Sequence, residues 1–175
     1  GYGVSLPGAT LAEKKAGLVW TLRTGLNIAA LQCGFDRTLR TESNYNAIIN
    51  DHKVELNTTV NTLMAYFKRT TKSVGAGQKA FDGYGGKLYS GLSAVQGQLQ
   101  FCTAASLVGR RTLNAKPGSL ATVAQEQVRS LYNGVNARIG DQFYRRPWLG
   151  TKIRNPSWDA RCWSGNDYQA SCGWN

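Results

Sequence analysis

Glu42 is the residue of this chain that is best placed by its neighbours for acid–base chemistry. It stands near the start of the stretch TESNYNAIINDH, residues 41–52, which also holds the only histidine of the chain, His52. A glutamic acid serves as a general acid when its environment raises its pKa. In the first turn of a helix, however, a carboxylate also stabilises the helix start, next to a capping Thr41 or Ser43. Glu42 is therefore either a catalytic acid or a helix-start residue.

The surroundings of His52 offer a second, weaker set of chemical groups. His52 follows Ile48 and precedes Leu56 on an apolar stripe, with Glu55 three residues along. We interpret it as a partly buried core histidine with a hydrogen-bond partner. Asp51 and Glu55 have the four-residue spacing that can hold a cation on a helix face, but without further oxygen ligands they indicate a solvated face.

The motif ESNYNA, residues 42–47, resembles the helix around the catalytic acid of soluble lytic transglycosylases. GLSAVQ at 91–96 and YNGV at 132–135 are similar to two further segments of that family. The resemblance implies a peptidoglycan-cleaving enzyme in which Glu42 protonates the glycosidic oxygen. We keep this activity as the alternative function.

The composition is that of a globular, strongly basic protein. The chain has 175 residues, 42% of them hydrophobic, and a formal net charge of +11. The basic excess is spread along the chain, so it favours binding to polyanions in general and disfavours a dedicated nucleic-acid site. The most apolar run, residues 18–31, is interrupted by polar residues and is too polar to span a membrane. The sequence thus predicts a protein that is not transmembrane.

The four cysteines indicate disulfides. They form no CxxC pair and only one histidine accompanies them, so the sequence predicts no metal site and no cofactor. Cys162 and Cys172 flank a short polar loop that a disulfide would close, which leaves Cys33 to pair with Cys102. Because such bonds persist only in oxidising compartments, we expect a periplasmic or secreted protein. Four buried thiols in a cytosolic core are the other interpretation.

Periodicity predicts helices. Thr10 and Glu13 have the spacing of a capping box before a short helical stretch. Apolar residues then recur at steps of three and four in four segments: 21–33, which ends at Gly34, then 45–67, 81–105 and 119–133. SVGAG at 73–77 and AKPGS at 115–119 separate them. The glycines of the third segment either lower its helix propensity or allow close helix approach. We predict an all-α, antiparallel helical bundle over residues 1–133.

The C-terminal residues 134–175 have a different character. They contain four of the five tryptophans, interleaved with basic residues, and show no helix period. Aromatic faces and guanidinium groups together suit an anionic glycan or another protein. Burial of the tryptophans is the equally weighted interpretation. We expect an irregular, disulfide-tied, Trp-rich wrap that packs on the bundle as part of one domain. Its candidate binding residues are Arg145, Arg146, Trp148, Arg154, Trp158, Arg161 and Trp163.

A broader resemblance covers residues 22–85. LRTGLNIAALQC, YFKRT and GQKAFDGYG are similar to segments of exported helical bacterial proteins with no assigned activity. The resemblance implies export and a helical fold. Together with the charge, it leads us to expect a non-enzymatic binding or structural role at the bacterial cell envelope. The expected partner is an anionic envelope polymer or another envelope protein; the oligomeric state stays open.

Overall fold

The protein is built from six α-helices in the residues that the structure, a computed structural model, describes: 3–93, 97–135, 159–165 and 167–172. The helices are α1 Leu11–Gln32, α2 Thr41–Asp51, α3 Lys53–Thr71, α4 Val74–Ser93, α5 Gln98–Leu113 and α6 Leu120–Val135. The predicted all-α bundle with a disulfide-tied C-terminal segment is confirmed. The chain divides into two compact units, Gly1–Ile139, which holds the helices, and Gly140–Asn175.

Helix α1 is the central element, and it begins with the predicted capping box. The Thr10 hydroxyl accepts a hydrogen bond from the Glu13 backbone N–H, and the Glu13 carboxylate accepts one from the Thr10 N–H. We expected separate helical pieces near Thr10 and over 21–33, but α1 is continuous. The hydroxyls of Thr21 and Thr24 donate to carbonyls one turn back, so these residues stay within the helix.

Two hydrophobic clusters pack along α1. The second half of α1 contacts α2, α5 and α6 in the main core, which includes the fully buried residues Leu22, Ile28, Leu92, Phe101, Val108, Leu120 and Leu131. The first half contacts α3 and α4 through a smaller cluster of Ala16, Leu63, Tyr84 and Leu88. Burial raises the pKa of Tyr84 to about 12, so its hydroxyl stays protonated and donates to the Gly17 carbonyl at 3.4 Å.

The apolar stripe over 45–67 predicted one helix of about six turns, and this was wrong in one respect. The helix is interrupted at His52, which ends α2 and precedes α3 with φ −105° and ψ 21°. Apolar residues on both sides of this one-residue break are buried, among them Tyr45 and Ile48 in α2 and Leu63 in α3. The periodicity therefore continues across a junction that it cannot reveal.

The stripe over 81–105 is also divided. Helix α4 ends at Ser93 and α5 begins after Gly97, so the predicted single helix was wrong. The N-terminal boundary also differs, since α4 begins at Val74 and only Lys72 and Ser73 separate it from α3. Gly83, Gly85, Gly86 and Gly91 face open space. The close helix approach considered for the α4 glycines is therefore not made by these four.

Two disulfides join the expected cysteine pairs. Cys33 at the end of α1 is bonded to Cys102 in α5, with an S–S distance of 2.05 Å, and both residues are buried. In the second unit, Cys162 is bonded to Cys172 around a short antiparallel pair, β1 Trp163–Ser164 and β2 Asp167–Tyr168. The packing of residues 134–175 on the bundle stays a prediction.

Candidate functional site

Glu42 is exposed in the first turn of α2. It lines a shallow depression of about 350 Å³ together with Cys33, Asp36, Arg37 and Arg40. A catalytic acid needs a raised pKa, which burial in an apolar pocket provides. The depression is instead open to solvent, so the Glu42 carboxylate lacks the apolar enclosure of such a pocket, and Arg37 and Arg40 line the same depression.

The aromatic residues of the transglycosylase-like motifs do not meet at Glu42. Tyr45 is buried in the main core, with the Arg23 guanidinium 5.9 Å from the centre of its ring. The Tyr132 hydroxyl instead lies near Gly3, as does the side chain of Thr21 in the first half of α1. Cys33, which lines the Glu42 depression, is about 18 Å along α1 from Thr21 at a rise of 1.5 Å per residue.

The start of α2 is capped differently from the expectation. Its N-cap is Arg40, which has a left-handed backbone with φ 53° and makes no side-chain capping hydrogen bond. Thr41 is already the first helical residue and is buried, and the Ser43 hydroxyl donates to the Arg40 carbonyl at 3.1 Å. The proposed capping by Thr41 or Ser43 was therefore wrong.

His52, at the junction of α2 and α3, lies beside Glu55, whose carboxylate connects α3 to the start of α6. The His52 side chain is 2% exposed, and its Nδ1 lies 3.7 Å from the Glu55 carboxylate without a hydrogen-bond partner among the described residues. The Glu55 carboxylate accepts hydrogen bonds from the backbone N–H groups of Gly118 and Leu120, each at 2.9 Å. Glu55 was predicted to lie on a solvated face; it instead caps the start of α6 across the bundle.

The depression beside this pair has a volume of about 440 Å³ and includes Asp51, Val54 and Pro117. Within the described ranges, no group of three or more His, Cys, Asp or Glu side chains is arranged to hold a metal ion. Among these residues, Asp51 and Glu55 therefore have no third acidic, histidine or cysteine side chain with which to hold a cation. The Glu55 carboxylate caps α6 instead.

Only two of the seven predicted binding residues belong to the described part of the tail. Arg161 is exposed and forms an ion pair with Asp159 at 2.7 Å, and this contact lowers the pKa of the Asp159 carboxyl. Trp163 is half-buried and begins β1. The other five, Arg145, Arg146, Trp148, Arg154 and Trp158, lie outside the described residues. The tail surface therefore stays a prediction.

A cluster of basic residues that the sequence did not indicate lies where α1 and α4 begin and α3 ends. We call it the cationic end; its members are the exposed side chains Lys14, Lys15, Lys68, Arg69 and Lys72. The Arg69 guanidinium bonds both carboxylate oxygens of Glu13, at 2.9 and 2.7 Å, which joins the start of α1 to the end of α3. Since the two helices are antiparallel, lysines far apart in sequence lie at the same end of the bundle.

The lysines of the cationic end are open to a ligand. Arg69 is ion-paired with Glu13, and in the second unit Arg161 is ion-paired with Asp159. Lys14, Lys15, Lys68 and Lys72 take part in neither pair. Exposed ammonium groups on flexible stems can reach separate phosphate or carboxylate groups of one polyanion. In the sequence, this end is indicated only by Lys14 and Lys15 near the start of α1 and by Lys68 and Arg69 in the last turn of α3.

We expect the Glu13–Arg69 contact to make stability depend on pH. The Arg69 hydrogen bond, followed by that of Thr10, lowers the pKa of Glu13 below its ordinary value of 4.5. A lowered folded-state pKa stabilises the fold above the unfolded pKa, and this contribution is lost as the pH falls through the folded value. The difference in unfolding free energy between the native protein and Glu13→Gln should therefore shrink on acidification below pH 4.5.

Denaturant unfolding of both proteins across the acid range measures this difference. The exposed Glu126, replaced by glutamine, is the matched control, and its difference from the native protein should be small at every pH. A Glu13→Gln difference that stays constant down to strongly acid pH would contradict the assignment.

A further depression of about 600 Å³ lies between α5 and α6. It includes Leu107, Arg110 and Val123, and the Arg111 guanidinium donates to the Gln127 side-chain oxygen at 3.0 Å. Its polar groups are partly engaged with one another, and no carboxylate–histidine or nucleophile–base arrangement lines it. We assign it no chemistry.

Comparison with known proteins assigns the chain to no family. None of the described helices combines the length and apolar character needed to cross a membrane. Searches against protein-family models, curated proteins and solved structures found no match to the chain.

Proposed function

We propose that the protein is an exported, non-enzymatic protein that binds an anionic polymer of the bacterial cell envelope through its basic surface. The observation that carries the proposal is the cationic end, which has five exposed basic side chains, of which Arg69 is paired with the carboxylate of Glu13. Such a surface attracts polyanions over several ångströms and binds them in a salt-dependent way.

The disulfides support the location in this proposal. Cys33–Cys102 lies inside the main core, and Cys162–Cys172 closes a small loop in the second unit. Protein disulfides persist in oxidising compartments such as the periplasm and the cell exterior. An envelope polymer rich in phosphate or carboxylate is the polyanion that a basic protein meets there.

The geometry of Glu42 supports a role without catalysis. Glu42 is exposed in an open depression that Arg37 and Arg40 also line, without the apolar enclosure in which a glutamic acid acts as a general acid. Lytic cleavage with Glu42 as general acid is the alternative. Clearing of purified cell walls should be negligible and equal for the native chain and Glu42→Gln; clearing that the substitution abolishes would support the enzyme instead.

The binding proposal is tested by retention on immobilised lipopolysaccharide and acidic polysaccharide. The native protein should bind in low salt and be released in about 1 M salt, where the Debye length is about 3 Å. The variant Lys14→Gln/Lys68→Gln/Lys72→Gln should bind about tenfold more weakly, since exposed ion pairs contribute about 0.5 kcal/mol each.

A matched variant controls for net charge. Lys53, Lys87 and Lys116 are also exposed and lie outside the cationic end, so their replacement by glutamine removes the same charge from other places. Its affinity should stay close to that of the native protein. If the native protein shows no salt-sensitive retention on either polymer, the proposal is wrong.

A further inference from the structure

The cationic end also presents two exposed aliphatic side chains. Leu11, the first residue of α1, is 71% exposed, and Val74, the first residue of α4, is 68% exposed. An exposed aliphatic residue alone is common on protein surfaces, but apolar side chains that share one end of a bundle with several lysines suit an interface that is both apolar and anionic.

These two residues lie at the same end of the bundle. Helices α1 and α4 are side by side, with the Tyr84 hydroxyl on the Gly17 carbonyl. Leu11 precedes Gly17 by about 9 Å and Val74 precedes Tyr84 by about 15 Å at 1.5 Å per residue. The starts of the two helices therefore differ in height by about one helical turn.

The lysines are positioned around this aliphatic pair. Lys14 is less than one turn after Leu11 in α1, and Lys72 is two residues before Val74. Lys68 belongs to the last turn of α3, and its backbone lies 3.0 Å from the point where a side chain on Gly77 would start. The long stems of Lys14 and Lys72 therefore start within three residues of the two apolar side chains.

We propose that the cationic end docks on an anionic lipid surface, with Leu11 and Val74 entering the headgroup region and the lysines contacting lipid phosphates. Charge complementarity selects the partner: each basic residue near an anionic membrane surface strengthens binding, and apolar side chains add to it when they leave water. A hydrated linear polymer makes use of the lysines alone. Lysine stems also lie readily along such a boundary with the charge at the phosphates.

This inference rests on the proposed function, because it assigns the anionic partner of the same cationic end. The partner that we infer is an anionic lipid surface, and the test distinguishes it from a soluble polyanion. The aliphatic side chains separate the two, since they contribute to binding at a bilayer and not to binding of a hydrated chain.

Co-sedimentation with vesicles tests it. Vesicles of phosphatidylcholine alone and of phosphatidylcholine with phosphatidylglycerol are compared, using the full chain with its disulfides intact. The native protein should bind the anionic vesicles and not the neutral ones. The variant Leu11→Ser/Val74→Ser should bind anionic vesicles about tenfold more weakly, as partial burial of two aliphatic side chains predicts.

The matched control is Leu31→Ser/Val54→Ser. Leu31 is 68% exposed and Val54 81% exposed, and both lie away from the cationic end, so the same chemical change is made elsewhere. This variant should bind like the native protein. All variants should keep the native far-ultraviolet circular dichroism and unfolding midpoint.

Two outcomes overturn the lipid inference. One is equal vesicle binding by Leu11→Ser/Val74→Ser and the native protein; the other is native binding to lipopolysaccharide and acidic polysaccharide with none to anionic vesicles. Both leave the proposed function standing. Absence of salt-sensitive binding to vesicles and to polymers alike would remove the proposed function as well.

Discussion

Replacing Cys33 and Cys102 by serine should lower the free energy of unfolding by about 4 kcal/mol. The bond joins residues 69 apart in sequence, and a crosslink over so long a loop removes much conformational freedom from the unfolded chain. It also joins the end of α1 to α5 inside the main core, where both cysteines are buried. Denaturant unfolding of the double variant and the native protein measures the loss.

The second disulfide provides the control. Cys162 and Cys172 are 10 residues apart, so their replacement should cost less, about 3 kcal/mol, and within the C-terminal unit. Helical signal in the far ultraviolet reports unfolding of the bundle. Coincident unfolding curves for Cys33→Ser/Cys102→Ser and the native protein would contradict the stabilising role of the buried bond.

Replacing Glu55 by alanine should cost about 2 kcal/mol. The Glu55 carboxylate, from the first turn of α3, accepts the backbone N–H groups of Gly118 and Leu120 at the start of α6. Hydrogen bonds to a charged group contribute about 1.5–3 kcal/mol, and the more exposed of these two is worth less. The substitution also removes the carboxylate that lies 3.7 Å from His52 Nδ1.

Two further variants make this test specific. Glu55→Gln keeps one acceptor oxygen and should lose about half as much stability as the alanine variant. Glu126→Ala removes an exposed carboxylate from α6 and should change stability by less than about 0.5 kcal/mol. If Glu55→Ala unfolds at the same denaturant concentration as Glu126→Ala, then Glu55 does not hold the start of α6.

The features that could be predicted from the sequence are those set by local chemistry. The capping box of Thr10 and Glu13 needs only four residues, and both of its hydrogen bonds are present. Helix α6 follows from its apolar period and from the turn before it, and it extends to Val135, two residues past the expected limit. The cysteine pairing followed from the short loop between Cys162 and Cys172, which left Cys33 to pair with Cys102.

The helix boundaries depend on tertiary packing. Gly25 stays within α1 because its missing side chain leaves room for Leu131, whose Cδ1 lies 2.8 Å from the position of an added Cβ. Gly91 is equally poor in helix propensity and also stays helical, whereas Gly97 precedes the start of α5. Nothing local distinguishes these glycines. Intrinsic propensity is a weak guide that packing overrides.

The cationic end could not be found from charge runs. The basic residues come from two segments, and Glu13 and Arg69, which connect them, are 56 residues apart. Only the antiparallel pairing of α1 with α3 makes one surface of them. By contrast, the arginines and tryptophans of the tail could be named as candidate binding residues from the sequence, because they are close together in the chain.

The salt dependence of binding tests the central claim most directly. The logarithm of the affinity for lipopolysaccharide is measured against the logarithm of the salt concentration for the native protein, for Lys14→Gln/Lys68→Gln/Lys72→Gln and for Lys53→Gln/Lys87→Gln/Lys116→Gln. Each contact with an anion that is lost makes this line shallower. We expect a shallower line for the first variant and the native slope for the second. Equal slopes for the two variants would contradict a binding surface at the cationic end.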